Sequence, residues 1–338
     1  WRSPGFELND AGFQRRSDDI FQVIWVGYRY YKPLGIFKQI SLNFNQWSGW
    51  DFGLNNRYSG VNVNANTQFK NLWNFGIGVN RDFAQRANYM LRGGPAMLLP
   101  GGTSFWTSLS TDNSKKINGG ASFQMFRGDE SVNESYSASL RLTWAPVNAL
   151  NISLTPFYSA DKTMLQYIET ADFNQNPRYI FGFLSQKTIG LPIRINFGIT
   201  PDLTIQYYGQ PFISAGKYSA YKRITDPKAD AFNDRFLYYQ DAQLMYNAED
   251  EVYNVDEDLN GTPDYTFDKP DFNAFYFISN LVVRWEYLPG SSVYLVWSQN
   301  RSDNTSTGEF RPAPDMEHLS FIYPHNVFLI KVSYRLGL

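Results

Sequence analysis

Between its turn signals the chain alternates apolar and polar residues with a period of two, over stretches of about 8 to 12 residues. Val61, Val63, Ala65, Thr67 and Phe69 point one way, and Asn62, Asn64, Asn66 and Gln68 the other. Trp73, Phe75, Ile77 and Val79 then oppose Asn74, Gly76, Gly78 and Asn80. The same reading holds for Tyr136 to Trp144, Ile189 to Ile199, Leu281 to Tyr287 and Phe328 to Leu336. Very little of the chain reads as helix, so the fold is expected to be all-β and antiparallel.

A soluble β-sandwich also alternates, but three features favour a membrane barrel. Strands of about 10 residues fit a bilayer crossed at a tilt of roughly 45°. The polar faces carry Asn, Ser, Gln, Gly and isolated Arg, which suits a hydrated interior better than a charged outer surface. Aromatic residues also gather near strand ends, where a lipid-interface girdle would place them: Tyr28, Tyr30, Tyr31, Trp47, Trp50, Trp73, Trp144, Trp285, Tyr287, Trp297 and Tyr334.

The connections test this independently, because outer-membrane barrels alternate short periplasmic turns with long extracellular loops. Short turns are expected at Lys32 to Gly35, Lys70 to Leu72, Asp112 to Lys116, Ala145 to Asn148, Thr200 to Asp202 and Leu288 to Gly290. Longer connections are expected at Gly49 to Gly60, Arg81 to Gly102, Arg127 to Glu134, Ala160 to Arg178, Ala220 to Asn273 and Ser302 to Pro324. With Tyr179 to Ile199 as one tall strand, about 13 strands alternate throughout; a turn near Lys187 would give about 14 and break the parity. The 338 residues then form a single outer-membrane β-barrel domain, with 1–19 a loop segment and 220–273 a large extracellular insertion. The first strand, Ile20 to Tyr31, must run toward the short-turn side, as must the last. An odd number of strands, one or three, is therefore expected upstream of Trp1, giving about 14 to 16 in the complete barrel.

Composition sharpens this picture. Mean hydropathy is -0.40 and no apolar run reaches the roughly 18 residues that a membrane helix needs. Aromatic residues make up 17% and charged residues 18%, against a usual charged share of about 25%. Net charge is -2, so no basic face argues for nucleic acid. The absence of cysteine removes disulfides, thiolate metal sites and cysteine nucleophiles. Trp1 is no initiator residue, so the start of the chain is expected to be a processing product or a truncation.

Several segments carry a family resemblance: Ser3-Pro-Gly-Phe-Glu-Leu-Asn-Asp-Ala-Gly-Phe-Gln-Arg-Arg16, Thr200-Pro-Asp-Leu-Thr-Ile-Gln206 running into Gln210-Pro-Phe212, Gly261-Thr-Pro-Asp264, and Asn280-Leu-Val-Val-Arg-Trp-Glu-Tyr-Leu-Pro-Gly290 leading to Val296-Trp-Ser-Gln299. The chain resembles the barrel part of Bacteroidota outer-membrane proteins that join an N-terminal domain like carbohydrate-binding family 9 to a C-terminal β-barrel domain of unknown function. The resemblance implies an outer-membrane location, an opening motif that lies inside the barrel domain, and a link to carbohydrate binding. It brings no catalytic residues.

One constellation suggests chemistry of its own. Asp256, Asp258, Asn260 and Asp264 stand at positions 1, 3, 5 and 9 of a calcium-loop pattern, with Gly261 at position 6 to bend the chain. Position 12 is Phe267 rather than Glu, so a bidentate ligand would have to come from Asp268, Glu251, Asp250 or elsewhere. The plain alternative is a solvated acidic loop with an Asn-Gly turn. Calcium is the sole cofactor expected.

Enzyme readings fare poorly. His318 and His325 are the two histidines. Ser320 would share a face with His318 if the segment were extended, but two strand steps separate them by roughly 6.5 Å, far for a hydrogen bond. The acidic pairs Asp129-Glu130 and Glu249-Asp250-Glu251 sit in expected loops, where charge is ordinarily solvated. Arg29, Arg141, Arg194, Arg284, Glu286, Lys331 and Arg335 are expected to project inward with Trp25, Trp47, Tyr208 and Tyr294. There they either pair across a filled interior or line a weakly anion-selective pore. The outward row Phe328, Ile330, Val332, Tyr334 and Leu336, ending at Leu338, resembles the assembly signal of outer-membrane barrels.

The expected role is a membrane anchor or scaffold for a larger surface or periplasmic assembly. A channel for small solutes such as saccharides is the alternative, and a surface hydrolase the third. The expected partners are outer-membrane lipid and lipopolysaccharide, other outer-membrane proteins or surface lipoproteins, and glycans.

Overall fold

A computed structural model of the chain describes residues 1–10, 12 and 17–336. Part of the opening motif, at 11 and 13–16, and the terminal Leu338 lie outside the described residues. The protein is all-β, built on one large antiparallel sheet. Thirteen strands follow one another across it: Ile20–Tyr30, Phe37–Trp50, Asn56–Phe69, Asn74–Asp82, Gly102–Ser110, Ile117–Gly128, Asn133–Val147, Leu150–Leu154, Ile193–Gly198, Leu203–Ile224, Phe272–Leu288, Ser291–Thr305 and His325–Ser333.

Two further strands, Phe157–Phe173 and Asn176–Gly190, form a hairpin that rises from the middle of this sheet. Prolines mark where it begins. Pro156 follows Leu150–Leu154, and Pro192 separates Asn176–Gly190 from Ile193–Gly198. A proline has no N–H to give to a ladder, so each tall strand is interrupted there and then resumes. Tyr179 to Ile199 is thus one tall, broken strand with no turn at Lys187.

Its partner corrects the sequence reading. Ala160 to Arg178, expected as a loop, is strand on both sides of a tight turn at Asn174 and Gln175, whose φ values are 52° and 61°. Register shifts between Thr163 and Gln166 and between Tyr167 and Glu169 disturb the period of two, which hid the strand. Two other connections shrink as well. Gly49 to Gly60 narrows to 51–55 and Arg127 to Glu134 to 129–132, because the strands run on past the expected membrane edge. The insertion after Ile224 carries its own small sheet of Leu244–Asn247, Val252–Val255 and Tyr265–Asp268. The connection before His325 holds a helix, Pro312–Phe321, with prolines in its first turn.

Residues paired across an antiparallel ladder point to the same face, so the register assigns both faces of the sheet. Val26, Phe44, Val63, Val79, Phe105 and Met125 form one continuous row. Val283, Leu295 and Ile330 continue that face on the far side. This face is apolar and bare: Val63 is 61% exposed, Leu140 51% and Ile330 69%. The opposite face carries Asn43, Asn64, Gly78, Trp106, Gln124 and Ser137 in one row. Trp47 sits on this polar face, paired with Val23, and not on the outward face where the expected girdle would need it.

Above the sheet the pattern of burial inverts. Leu91, Met97, Val132, Leu165, Phe181, Ile224, Phe232 and Phe236 form a closed apolar cluster under the connections at 83–101 and 225–271. A second cluster joins Ile180 and Tyr221 to Val255, Tyr265 and Phe267 of the small sheet. Arg235 staples the two connections together, donating to the carbonyls of Leu98 (3.0 Å), Ala229 (2.8 Å) and Asp230 (3.0 Å).

Candidate functional site

The acidic constellation lies between two strands of the small sheet, Val252–Val255 and Tyr265–Asp268, so both ends of the loop are held by a ladder. Asp256 is buried. Its carboxylate accepts from the N–H groups of Asn260 (3.0 Å) and Gly261 (2.7 Å), folding the chain back on itself. Leu259 and Gly261 make the bend with φ of 59° and 91°, the second a conformation that favours glycine. Asp264 closes the loop from the other side by accepting from Glu257 N–H at 2.7 Å.

As a result, carboxylate oxygens of Asp256, Asp258 and Asp264 lie within 4.8 Å of one another. Calcium binds oxygens at 2.3 to 2.6 Å, so two ligands of one ion stand at most about 5 Å apart. The three carboxylates fit that limit. The Asn260 side-chain oxygen is instead engaged by Thr262, whose N–H donates to it at 2.9 Å. Two of the named candidates for a bidentate ligand are engaged elsewhere: Asp250 accepts from Asn247 (2.7 Å) and Glu251 accepts from Ser306 (2.8 Å).

The residue between the aspartates does a different job. Glu257 points away from the loop and into a cationic clasp, 2.9 Å from Arg178 and 3.0 Å from Arg223, while Tyr265 donates its hydroxyl at 2.7 Å. Burial alone would raise the Glu257 pKa. The hydrogen bonds from Arg178 and Tyr265 and the charge of Arg223 outweigh burial and hold it below the usual carboxylate range. Because Arg178 belongs to the tall hairpin and Arg223 to the strand beside it, this one carboxylate ties the acidic loop to the sheet.

The polar face of the main sheet holds every charge expected there within its strands: Arg29, Arg141, Arg194, Arg284, Glu286 and Lys331. Arg335 lies beyond the end of the last strand. Arg284 pairs with Glu286. Arg194 stacks over Tyr208 at 4.8 Å, Lys331 over Tyr294 at 5.8 Å and Arg29 over Trp25 at 6.0 Å. Between them runs a carboxamide ladder: Asn43 donates to Asn64 and Asn45 to Asn62, each at 2.9 Å, and Asn80 donates to Ser104 at 2.7 Å. Two cavities open on this side. One of about 460 Å3 is lined by Arg29, Gln39, Ser41, Asn66, Asn74 and Ser108, and one of about 450 Å3 by Tyr58, Asp82, Tyr89, Phe126, Asn133 and Gln166.

A family model described as Domain of unknown function (DUF5916) matches residues 1–337. The chain belongs to that family. No curated protein matches it. A solved chain described as the NanC porin in a rhombohedral crystal form aligns over 93% of this chain and 99% of its own, at 10% identity and a TM-score of 0.27. A likeness at that score carries no argument about fold or function.

In this DUF5916 chain the histidines do not assemble a nucleophilic site. His318 meets Asp303 at 2.8 Å, which would orient its ring, but Ser320 lies on the same helix and donates to the Glu317 carbonyl at 2.6 Å. His318 to Ser320 is helical rather than extended, and positions two apart on a helix face different ways. His325 stands at the head of the last strand. The sequence reading missed Glu257 altogether. Its signal was slight: Glu257 stands between two aspartates of the loop pattern, which marks it as the residue left out of their convergence.

Proposed function

We propose that the chain is the membrane-spanning barrel of a Bacteroidota outer-membrane protein and that it serves as an anchor and scaffold, without catalytic activity, for surface or carbohydrate-binding partners. The observation that carries this reading is the bare apolar face of the main sheet, continuous from Val26 through Val63 and Met125 to Ile330. Soluble monomers rarely expose an apolar patch beyond a few hundred Å2. Lipid on that face and water on the Asn-rich face match the outward-apolar, inward-polar rule of outer-membrane strands. The tall hairpin and the lobe clasped to it by Glu257 would then stand outside the membrane as a rigid platform, with the Asp256, Asp258 and Asp264 loop taking up calcium at its surface.

The experiment is reconstitution. A filled scaffold inserts into vesicles, runs as a heat-modifiable band, and gives no stable unitary current in a planar bilayer. A steady current would favour the second reading, a channel for small solutes such as saccharides. That reading draws on the two cavities of the polar face and on Asn133 Oδ1, which is buried there without a hydrogen-bond partner. If a hydrolase activity were found, replacing His318 and His325 together would have to abolish it for the third reading to stand.

A further inference from the structure

The main sheet has two free edges. Among the described residues, Ile20–Tyr30 is paired along its strand only with Phe37–Trp50, and His325–Ser333 only with Ser291–Thr305. We propose that an odd number of further β-strands, from the same polypeptide ahead of Trp1, fills this gap, and that the last of them runs up the free edge of Ile20–Tyr30 and continues into Arg2.

Strand direction comes first. Every step across the thirteen-strand path is antiparallel, so its first and last strands run the same way. If the two edges met directly, they would pair in parallel. A second copy in the same membrane orientation would also meet either edge in parallel. An antiparallel partner for both edges must run upward, and an odd number of strands supplies one.

The hydrogen bonds then say where that partner begins. Arg2 N–H donates to Asp19 O at 2.8 Å, Asp19 N–H donates to Arg2 O at 2.9 Å, and the bridge is antiparallel. Arg2 is therefore already the top rung of a ladder. The bridge lies on the free side of the strand, as the neighbouring strand shows. The Gln39 carbonyl accepts from Thr67 Oγ1 at 2.8 Å and Asp51 N–H donates to Asn55 O at 3.1 Å, so from Gln39 onward odd-numbered residues face Asn56–Phe69 and even-numbered ones face Ile20–Tyr30. Even pairs with even between those two strands, from Ile20 with Trp50 to Tyr30 with Ile40. Backbone groups alternate sides along a strand, so those of Phe21, Val23, Trp25, Gly27 and Arg29 face the same open edge as those of Asp19. Residues leading into Trp1 would meet them in register.

Side chains at the gap agree. On the inner face the edges present Val23 and Trp25 on one side, paired with Trp47 and Asn45, and Val327 and Leu329 on the other, paired with Ser298 and Val296; the four edge residues are all about half exposed. An apolar inner flank on both sides of one gap is suited to covering by a strand whose inward side chains are apolar. The bridge and the register stand without the membrane reading. Only the severity of leaving a bare edge in hydrocarbon, where no water can satisfy it, rests on that reading.

The test uses the intact polypeptide as cells make it, with the photoreactive residue p-benzoylphenylalanine placed at Trp25, at Phe328 and, as an internal reference, at Phe123. The Phe123 probe must crosslink to its paired neighbours near Thr107 or Ala138, which establishes a folded sheet whether or not the protein fractionates with membranes. With that reference met, the proposal expects Trp25 to capture the peptide immediately preceding Trp1, and Phe328 to capture that peptide or an earlier one. Capture of residues 325–333 by Trp25, capture of another protein or a second copy at either edge, or no peptide adduct at the edges would overturn it.

Discussion

The lower sheet and the lobe above it use the same alternating strands and end with opposite surfaces. In the lower sheet Val63, Leu140 and Ile330 are more than half exposed, whereas in the tall hairpin and its connections Phe181, Ile180 and Val255 are wholly buried. The difference lies in what covers the apolar row. Long connections fold back over the tall hairpin and bury it as a soluble protein buries its core; the short turns below leave nothing to cover the outward row, and lipid would have to do so. Alternation declares two faces but does not name the solvent of either.

The largest effect expected from breaking this contrast is in the lobe. Phe181→Ala removes a fully buried ring that meets Tyr167 edge-on at 5.6 Å, and should cost about 3 to 5 kcal/mol locally. Limited proteolysis should then cut within 225–271 while the sheet stays assembled. Next comes Leu140→Arg on the outward face, at about 2 to 4 kcal/mol if lipid covers that face. Folding into vesicles should fall sharply, whereas Leu259→Arg, in the equally exposed loop, should leave it unchanged.

A smaller effect is expected where the two regions are joined. Glu257→Gln removes the charge shared by Arg178 and Arg223, at about 1 to 3 kcal/mol. Because the Glu257 carboxyl is held below its ordinary value, its contribution is complete above the unfolded value of about 4.3 and is lost as pH falls through the lower folded one. Protease sensitivity of the lobe should therefore rise in acid, and the glutamine variant should flatten that part of the profile. The smallest effect is calcium. An extracellular-type site with a Kd of about 0.1 to 1 mM would add about 1 to 2 kcal/mol at 5 mM calcium. The loop should become more resistant to proteases and calorimetry should detect binding, and Asp256→Ala should remove both.

Much of this molecule is legible in its residues. The period of two, read against turn residues, located the strands and assigned faces to Arg29, Arg194, Arg284 and Lys331 that the register bears out. The spacing of Asp256, Asp258 and Asp264 anticipated their convergence, because that spacing and Gly261 are local properties of one short loop. Phe157–Phe173 was unreadable for the opposite reason: a register shift falls at the consecutive apolar residues Met164 and Leu165, which break the alternation, and only pairing with Asn133–Val147 and Asn176–Gly190 makes the segment a strand.

What the sequence determined by itself is therefore local: strand period, turn chemistry, the two faces and the bend of the acidic loop, each set within about ten residues. What only the tertiary structure decided depends on residues far apart in the chain. Glu257 finds Arg178 across 79 positions, the connections bury the hairpin, and Arg2 hydrogen-bonds to Asp19 on the open edge of the first strand. A residue's own pattern fixes which way it points, but its partner is fixed by where the rest of the chain returns.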